Sequence, residues 1–164
     1  MTPRVINAEY IKTKIIEAIG VLSFRSDPKL LNCMRAARQS ETSEIARDIL
    51  DAILDNAAIA ANEQIPGCQD TGTLVFFVDI GSSVLIEGHG LTAIIHEAVA
   101  EASRKFYLRR SIVRDPLLDR TNTGDNTPAV IHLSLVDGDG LVIHIAQKGG
   151  GAENMSRLFM LNPS

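Results

Sequence analysis

The first of three polar segments that could do chemistry combines a thiol with a carboxylate. It reads Gly67-Cys68-Gln69-Asp70-Thr71-Gly72-Thr73 and runs directly into an apolar stretch at residues 74–78. A cysteine here could be a metal ligand, a nucleophile or a small buried residue, and residue type alone favours burial, since free cysteine is among the most buried residues. Asp70 and Thr71 could equally well form a turn.

The second polar segment is Leu108-Arg109-Arg110-Ser111, which follows a helical pattern. Arginines at the end of a helix stabilise the negative end of the helix dipole, and residue type alone favours this interpretation. The functional interpretation is that a guanidinium group binds a substrate carboxylate through paired N–H donors.

The third polar region joins Asn122-Thr123-Gly124-Asp125-Asn126-Thr127-Pro128 with Lys148-Gly149-Gly150-Gly151. Successive glycines let backbone N–H groups approach an anion, and Lys148 adds a positive charge. The lysine precedes the glycines, so the segment is not a P-loop, and it lacks the G-x-G-x-x-G pattern of dinucleotide sites. A flexible loop is an equally good interpretation.

Apolar residues at helical spacing predict four helices that position these segments. They begin near Ile11, at Pro28 with Asp27 as its cap, near Ser40, and at Gly90, the last running to about Tyr107. The third helix carries a wide apolar stripe, which predicts packing against the core. Its members are Ile45, Ile49, Leu50, Ile53, Leu54 and Ala57.

Strand patterns occupy the second half of the chain. Residues 74–78 form a continuous apolar run, which predicts a strand buried on both faces, and residues 84–86 predict a second short strand. Residues 129–136 and 141–146 flank Asp137-Gly138-Asp139-Gly140, which predicts a hairpin with a loop at 138–140. Alternation then predicts one buried apolar face, made of Ile131, Leu133, Leu135, Leu141, Ile143 and Ile145, with His132 and His144 about 7–8 Å apart on the other.

These elements predict an α/β chain of the α+β type, in which N-terminal helices pack on a mixed, partly antiparallel sheet. The length of 164 residues suits one domain, and 45% hydrophobic with 22% charged residues is ordinary globular usage. A net charge of -4 argues against nucleic-acid binding. The sequence has no apolar run of membrane-helix length, and its two cysteines predict a reducing, cytoplasmic setting.

Together the polar segments resemble the class I fumarate hydratases and the alpha subunit of L-tartrate dehydratase. The resemblance lies in residues 65–73, 108–111 with 115–116, 122–132 and 148–156, which stand in the family's order. Asn56 also fits the helix that leads into the cysteine motif. The matching segments cover nearly the whole chain, which makes the resemblance specific.

The resemblance implies an oxygen-sensitive [4Fe–4S] hydro-lyase that hydrates or dehydrates a small dicarboxylate, fumarate/malate or tartrate/oxaloacetate. It implies that Cys68 is a cluster ligand and that Asp70 transfers or positions a proton. The implied substrate contacts are Gln69, Asp70, Arg109, Lys148 and Gly151.

A cubane cluster normally takes several thiolates, and Cys33 lies outside every family motif. The expected partners are therefore the rest of an alpha subunit and a beta subunit or C-terminal domain. The chain is expected to be an N-terminal fragment or truncated alpha subunit, inactive alone and self-associating through Leu158, Phe159 and Leu161. The alternative is a non-catalytic domain that binds small anions or a partner subunit, and a weaker third possibility is a phosphate-binding loop.

Overall fold

The structure, a computed structural model, describes residues 2–153 and 157–161. Three of its four α-helices precede the strands of the main sheet in the chain. In order the elements are β1 (Arg4–Asn7), α1 (Ala8–Phe24), α2 (Pro28–Ser40), α3 (Glu44–Glu63), β2 (Thr73–Gly81), β3 (Val84–Glu87), α4 (Leu91–Lys105), β4 (Val130–Val136), β5 (Leu141–Lys148) and a short 3₁₀ turn (Gly150–Glu153).

β2 is the central strand of a three-stranded sheet whose order is β4-β2-β5. β4 runs parallel to β2 and β5 runs antiparallel to it. β1, which the sequence did not predict, pairs with β3 in a separate parallel ladder. The mixed sheet and the preceding helices confirm the predicted α+β class.

The predicted hairpin between β4 and β5 is wrong, because β2 lies between the two strands. Phe77 of β2 is opposite His132 on one side and His144 on the other, so the histidines do share a face, as predicted. They lie two strand spacings apart, about 9–10 Å. Side-chain alternation sets the face of a strand but not its neighbour, so the shared face was predicted correctly while the pairing, and with it the separation of 7–8 Å, was wrong.

The core forms where α1 and α4 cover one face of β2. Leu74, Phe76 and Val78 point into it and are buried. Phe77 on the opposite face is 48% exposed, so the predicted burial of both faces is wrong. The helical residues of the core are Ile11, Ile15, Ile16 and Ile19 of α1 and Ile94, Ile95, Ala98, Val99 and Ala102 of α4.

The apolar faces of the outer strands are only partly covered. Ile131 of β4 and Leu141, Ile143 and Ile145 of β5 pack against the core and are partly buried. Leu133 and Leu135 of β4 are 55% and 84% exposed. The predicted burial of this whole face is therefore wrong, because the helices lie over β2 and β5 and leave much of β4 uncovered.

The sequence predicts the start of α2 correctly but not the start of α3. Asp27 accepts the Lys29 N–H at 2.7 Å and begins α2, as expected. α3 begins later than predicted, with Ser43 as its cap, because Glu41 accepts the N–H groups of Thr42 and Ser43.

The apolar stripe of α3 does not pack into the core as predicted. Ile45, Ile49 and Ile53 are 74%, 56% and 41% exposed. α3 packs mainly on α2 and also contacts α1, and Ala60 is its buried residue. Leu158, Phe159 and Leu161 are also exposed, as predicted. None of the helices in the described ranges is long and apolar enough to cross a membrane.

Adjacent phenylalanines on opposite faces of β2 test this arrangement. Phe76 is fully buried, so Phe76→Ala should lower the free energy of unfolding by about 3–5 kcal/mol, the usual cost of a large core cavity. Phe77→Ala is the matched control and should cost clearly less, since that ring is half exposed and stacks on His132. Equal losses in urea denaturation would contradict the assignment of the two faces.

Candidate functional site

Three connecting segments meet at one edge of the sheet. Thr73, the first residue of β2, pairs with Lys148, the last residue of β5. Val130 at the start of β4 pairs with Val75, so the segment before β4 reaches the same edge. The cysteine segment, the glycine segment and residues 122–129 are therefore brought together, although they are far apart in the sequence.

Gly72 allows the closest approach between these segments. Its φ is +69°, a conformation that glycine adopts without strain. A Cβ atom at this position would overlap the Lys148 carbonyl group. The cysteine segment can reach the end of β5 only because residue 72 has no side chain.

The Asp70 carboxylate lies between a cation and a backbone donor. Its Oδ2 accepts the Gly151 N–H at 3.3 Å, and its Oδ1 lies 3.7 Å from Nη1 of Arg109. The Asp70 side chain is 26% exposed and that of Arg109 is 60% exposed. At 3.7 Å the pair is longer than a hydrogen bond, so the guanidinium group is near the carboxylate without being locked to it.

These side chains surround an open cleft of about 420 Å³, which is within the usual size range of small-molecule sites. The cleft combines a guanidinium group, a carboxylate, two hydroxyl groups and glycine backbone. Its lining residues are Asp70, Gly72, Thr73, Arg109, Ser111, Gly150 and Gly151.

Cys68 lies on the other side of Asp70, in a second cleft that Asp70 also lines. The thiol is exposed, so the burial favoured by its residue type is wrong. Its Sγ accepts the Asp70 N–H at 3.4 Å, and its S–H donates to Oε1 of Gln69 at 3.5 Å. One residue, Asp70, therefore connects the thiol to the Arg109 cleft.

Lys148 and Gln69 are exposed and lie beside the clefts. The Lys148 carbonyl accepts the Thr73 hydroxyl at 3.4 Å, and Gln69 contacts Cys68. Among the described residues, neither belongs to the lining of the two clefts. Their predicted contacts with substrate remain predictions.

Arg109 lies four residues beyond the end of α4, so it does not cap that helix. Two hydrogen bonds to buried side chains hold its segment instead. The Arg109 N–H donates to Oγ1 of buried Thr71 at 2.8 Å, and the Ser111 N–H donates to Oδ1 of buried Asn126 at 2.9 Å.

The start of the cysteine segment is held by the N-terminal helices. Asn56 of α3 donates to the Gly67 carbonyl at 2.8 Å, and the Gly67 N–H donates to the Ser23 carbonyl of α1 at 3.2 Å. The Ser23 hydroxyl also lies 3.2 Å from Oε1 of Gln147, near the end of β5. α1 therefore contacts both segments that meet at Asp70.

A tight turn precedes β4. Thr127 donates its N–H and hydroxyl to Oδ1 of Asp125, at 3.0 Å and 2.7 Å. Burial raises the pKa of Asp125, but hydrogen bonds from Thr127 and Thr123 outweigh it, so the pKa lies below its ordinary value. The resulting stabilisation is present above the ordinary pKa and is lost as the pH falls through the lowered one.

Comparisons with known proteins agree on one family. A family model described as fumarate hydratase (fumerase) matches residues 12–164. This chain is a member of the fumarate hydratase family. The resemblance seen in the polar segments is thereby confirmed.

Proteins named L(+)-tartrate dehydratase subunit alpha are similar to this fumarate hydratase family member. Those of Escherichia coli strains UTI89 and K12 are 32% and 31% identical over 166 residues, 96% of this chain and 54% of the relative. A protein of Methanocaldococcus jannaschii with the same name, marked as putative, is 36% identical over 81% of this chain and 48% of its own length. The chain spans about half the length of these relatives.

The [4Fe–4S] cluster implied by the family resemblance needs several thiolate ligands. In the part of the chain that the structure describes, no three Cys, His, Asp or Glu side chains form a metal-binding group. Cys33 is exposed on α2, outside the lining of the Cys68 cleft as described. The described residues therefore do not fit a complete cluster, although Cys68 is an accessible thiol that could supply one ligand.

Several residues that hold the site together were given no role from the sequence. Asn56 and Asn126 lie in or near the segments that resemble the family. Their amide side chains can both donate and accept hydrogen bonds, which is the signal that could have identified them. Ser23 lies on an ordinary amphipathic helix, and no pattern distinguishes it. Thr71 was interpreted only as a turn former.

Two glycines with positive φ test the close approach at the sheet edge. Gly124→Ala should cost about 1–2 kcal/mol, because only the left-handed backbone is disfavoured there and the surrounding space is open. Gly72→Ala should lower the free energy of unfolding by more, since its Cβ also overlaps the end of β5. Denaturant titrations that give equal losses would show that the approach does not constrain the fold.

Proposed function

We propose that this chain forms part of the active site of an iron–sulfur hydro-lyase that acts on a small dicarboxylate, fumarate/malate or tartrate/oxaloacetate. The observation that carries the proposal is the meeting of Asp70, Arg109 and Gly151 around one cleft, with Cys68 directly beyond Asp70. The family description and the names of the relatives, a hydratase and dehydratases, support the same reaction type.

The cleft offers donors of the kind that a carboxylate needs. A guanidinium group can donate two parallel N–H bonds to a carboxylate, and glycine N–H groups can add further ones. Arg109 and Gly151 both lie next to Asp70. A substrate carboxylate held by these donors therefore comes within reach of the Asp70 side chain.

Asp70 is proposed to transfer or position the proton. Hydration adds a proton to one carbon of a double bond and a hydroxyl group to the other, and dehydration removes both, so a positioned acid or base is needed. Among the described lining residues of the cleft, Asp70 is the only carboxylate. The Gly151 N–H orients one of its oxygen atoms, and the Arg109 guanidinium group lies 3.7 Å from the other.

Cys68 is proposed to bind one iron of a cluster whose other ligands come from outside the described residues. The partners would be further alpha-subunit sequence and a beta subunit or C-terminal domain, in a cytoplasmic, self-associating enzyme. Cys68 is the one thiol in the described lining of the two clefts, which also suits the alternative, a non-catalytic domain that binds small anions or a partner subunit.

The two cysteines separate these alternatives. In the complete enzyme, meaning this chain together with the partners proposed above, anaerobic reconstitution should give visible iron–sulfur absorption. Cys68→Ser should abolish it, because a hydroxyl replaces a soft thiolate, whereas Cys33→Ser should leave it unchanged. Full absorption in the Cys68→Ser enzyme would remove the proposed ligand, and an enzyme that binds fumarate or tartrate without any cluster or turnover would favour the non-catalytic alternative.

Adjacent arginines test the carboxylate contact. Arg109→Lys keeps the charge but loses the paired donors, so kcat/KM for fumarate or tartrate should fall by about 10–100-fold while the cluster absorption is retained. Arg110→Lys is the matched control and should change kcat/KM little, because Arg110 lies outside the described lining of the cleft. Steady-state kinetics that are unchanged in the Arg109→Lys enzyme would contradict the assignment.

A further inference from the structure

We infer that Asn126 is a positioning residue that sets where Arg109 lies relative to Asp70, an inference that rests on the proposed function. Asn126 is 2% exposed and is among the largest fully buried side chains of the described protein. An amide in such a place is costly unless both of its polar ends are hydrogen-bonded.

Both ends of this amide are used, and each contacts a different segment of the site. Oδ1 accepts the Ser111 N–H at 2.9 Å, and Nδ2 donates to the Gly72 carbonyl at 3.3 Å. Ser111 is two residues after Arg109, and Gly72 is two residues after Asp70. One side chain therefore spans the two backbone segments that carry the guanidinium group and the carboxylate.

A second hydrogen bond lies beside this connection. The buried Thr71 hydroxyl accepts the Arg109 N–H at 2.8 Å, which joins the same two segments one step closer to the reactive groups. Ser111 and Gly72, the partners of Asn126, also line the Arg109 cleft. A shift of either partner would thus change the shape of the cleft itself.

The backbone at position 126 restricts the residue type as well. Asn126 has a φ of 65°, which asparagine tolerates better than most residues with side chains. Glycine at this position would keep the backbone conformation and remove only the amide. Asn126→Gly is therefore the variant that isolates the side chain.

The first test is amide hydrogen exchange, followed by NMR on this chain. Asn126→Gly should accelerate exchange of the Ser111 N–H, which loses its acceptor, and of the neighbouring Arg109 N–H by at least tenfold. The control is Asn122→Gly in the same loop. Asn122 donates to the Arg110 carbonyl in an exposed position, where water can replace the lost bond, so this variant should change these exchange rates much less. Unchanged Ser111 and Arg109 exchange in Asn126→Gly would overturn the inference.

The second test measures kinetics in the complete enzyme. Asn126→Gly should lower kcat/KM about tenfold or more, mainly through a higher KM, because Arg109 is displaced from the substrate carboxylate. Faster exchange with unchanged KM and kcat would show a structural connection only, and would also overturn the inference.

Thr71 keeps the inference testable if the position 126 variant does not fold. Thr71→Val removes the acceptor of the Arg109 N–H with little change of shape, and Thr71→Ser restores it. The valine enzyme should show the raised KM and the serine enzyme should recover, whereas equal kinetics in both would count against positioning. A parent enzyme with no hydro-lyase activity would contradict the proposed function, and the exchange rates would then decide alone whether Asn126 fixes the Arg109 segment.

Discussion

The pairing of Thr73 with Lys148 is the constraint on which the rest of the site depends. It brings the start of the central strand next to the end of an antiparallel neighbour, and the parallel neighbour on the other side brings its own preceding segment to the same edge. This pairing requires glycine at position 72, because any side chain there would overlap the Lys148 carbonyl. The register of the sheet therefore brings Asp70, which precedes β2, next to Gly151, which follows β5.

Arg109 reaches the same place by a different route. It lies on an irregular segment between α4 and β4, so no strand register fixes its position. Its segment is fixed instead by hydrogen bonds from its own N–H and that of Ser111 to the buried side chains of Thr71 and Asn126. The site thus combines groups positioned by backbone pairing with one positioned by side chains, and the second kind is the more sensitive to single substitutions.

The sequence predicted what depends on local pattern and missed what depends on distant partners. The spacing of Ile11, Ile15 and Ile19 located α1, and alternation assigned the correct faces to β4 and β5. The order of the strands was missed because two alternating strands joined by a glycine turn fit a hairpin as well as they fit either side of β2. The apolar stripe of α3 was assigned to the core because periodicity shows that one face is apolar, not what covers it. For the site, the segment motifs indicated which residues belong together, whereas the connecting role of Asn126 depends on two contacts distant in sequence.

The exposed apolar face of α3 lies on the same side of the molecule as Cys68, which is the one proposed cluster ligand among the described residues. Ile53 belongs to the exposed stripe of α3 and also lines the cleft that holds Cys68. Asp70 separates this cleft from the one that contains Arg109. If Cys68 binds a cluster as proposed, the cleft that Cys68 shares with α3 is open to the other ligands of the cluster, while Asp70 also lines the cleft of the proposed substrate donors. A partner segment that carries the remaining ligands would then also cover the apolar surface of α3 beside the accessible thiol.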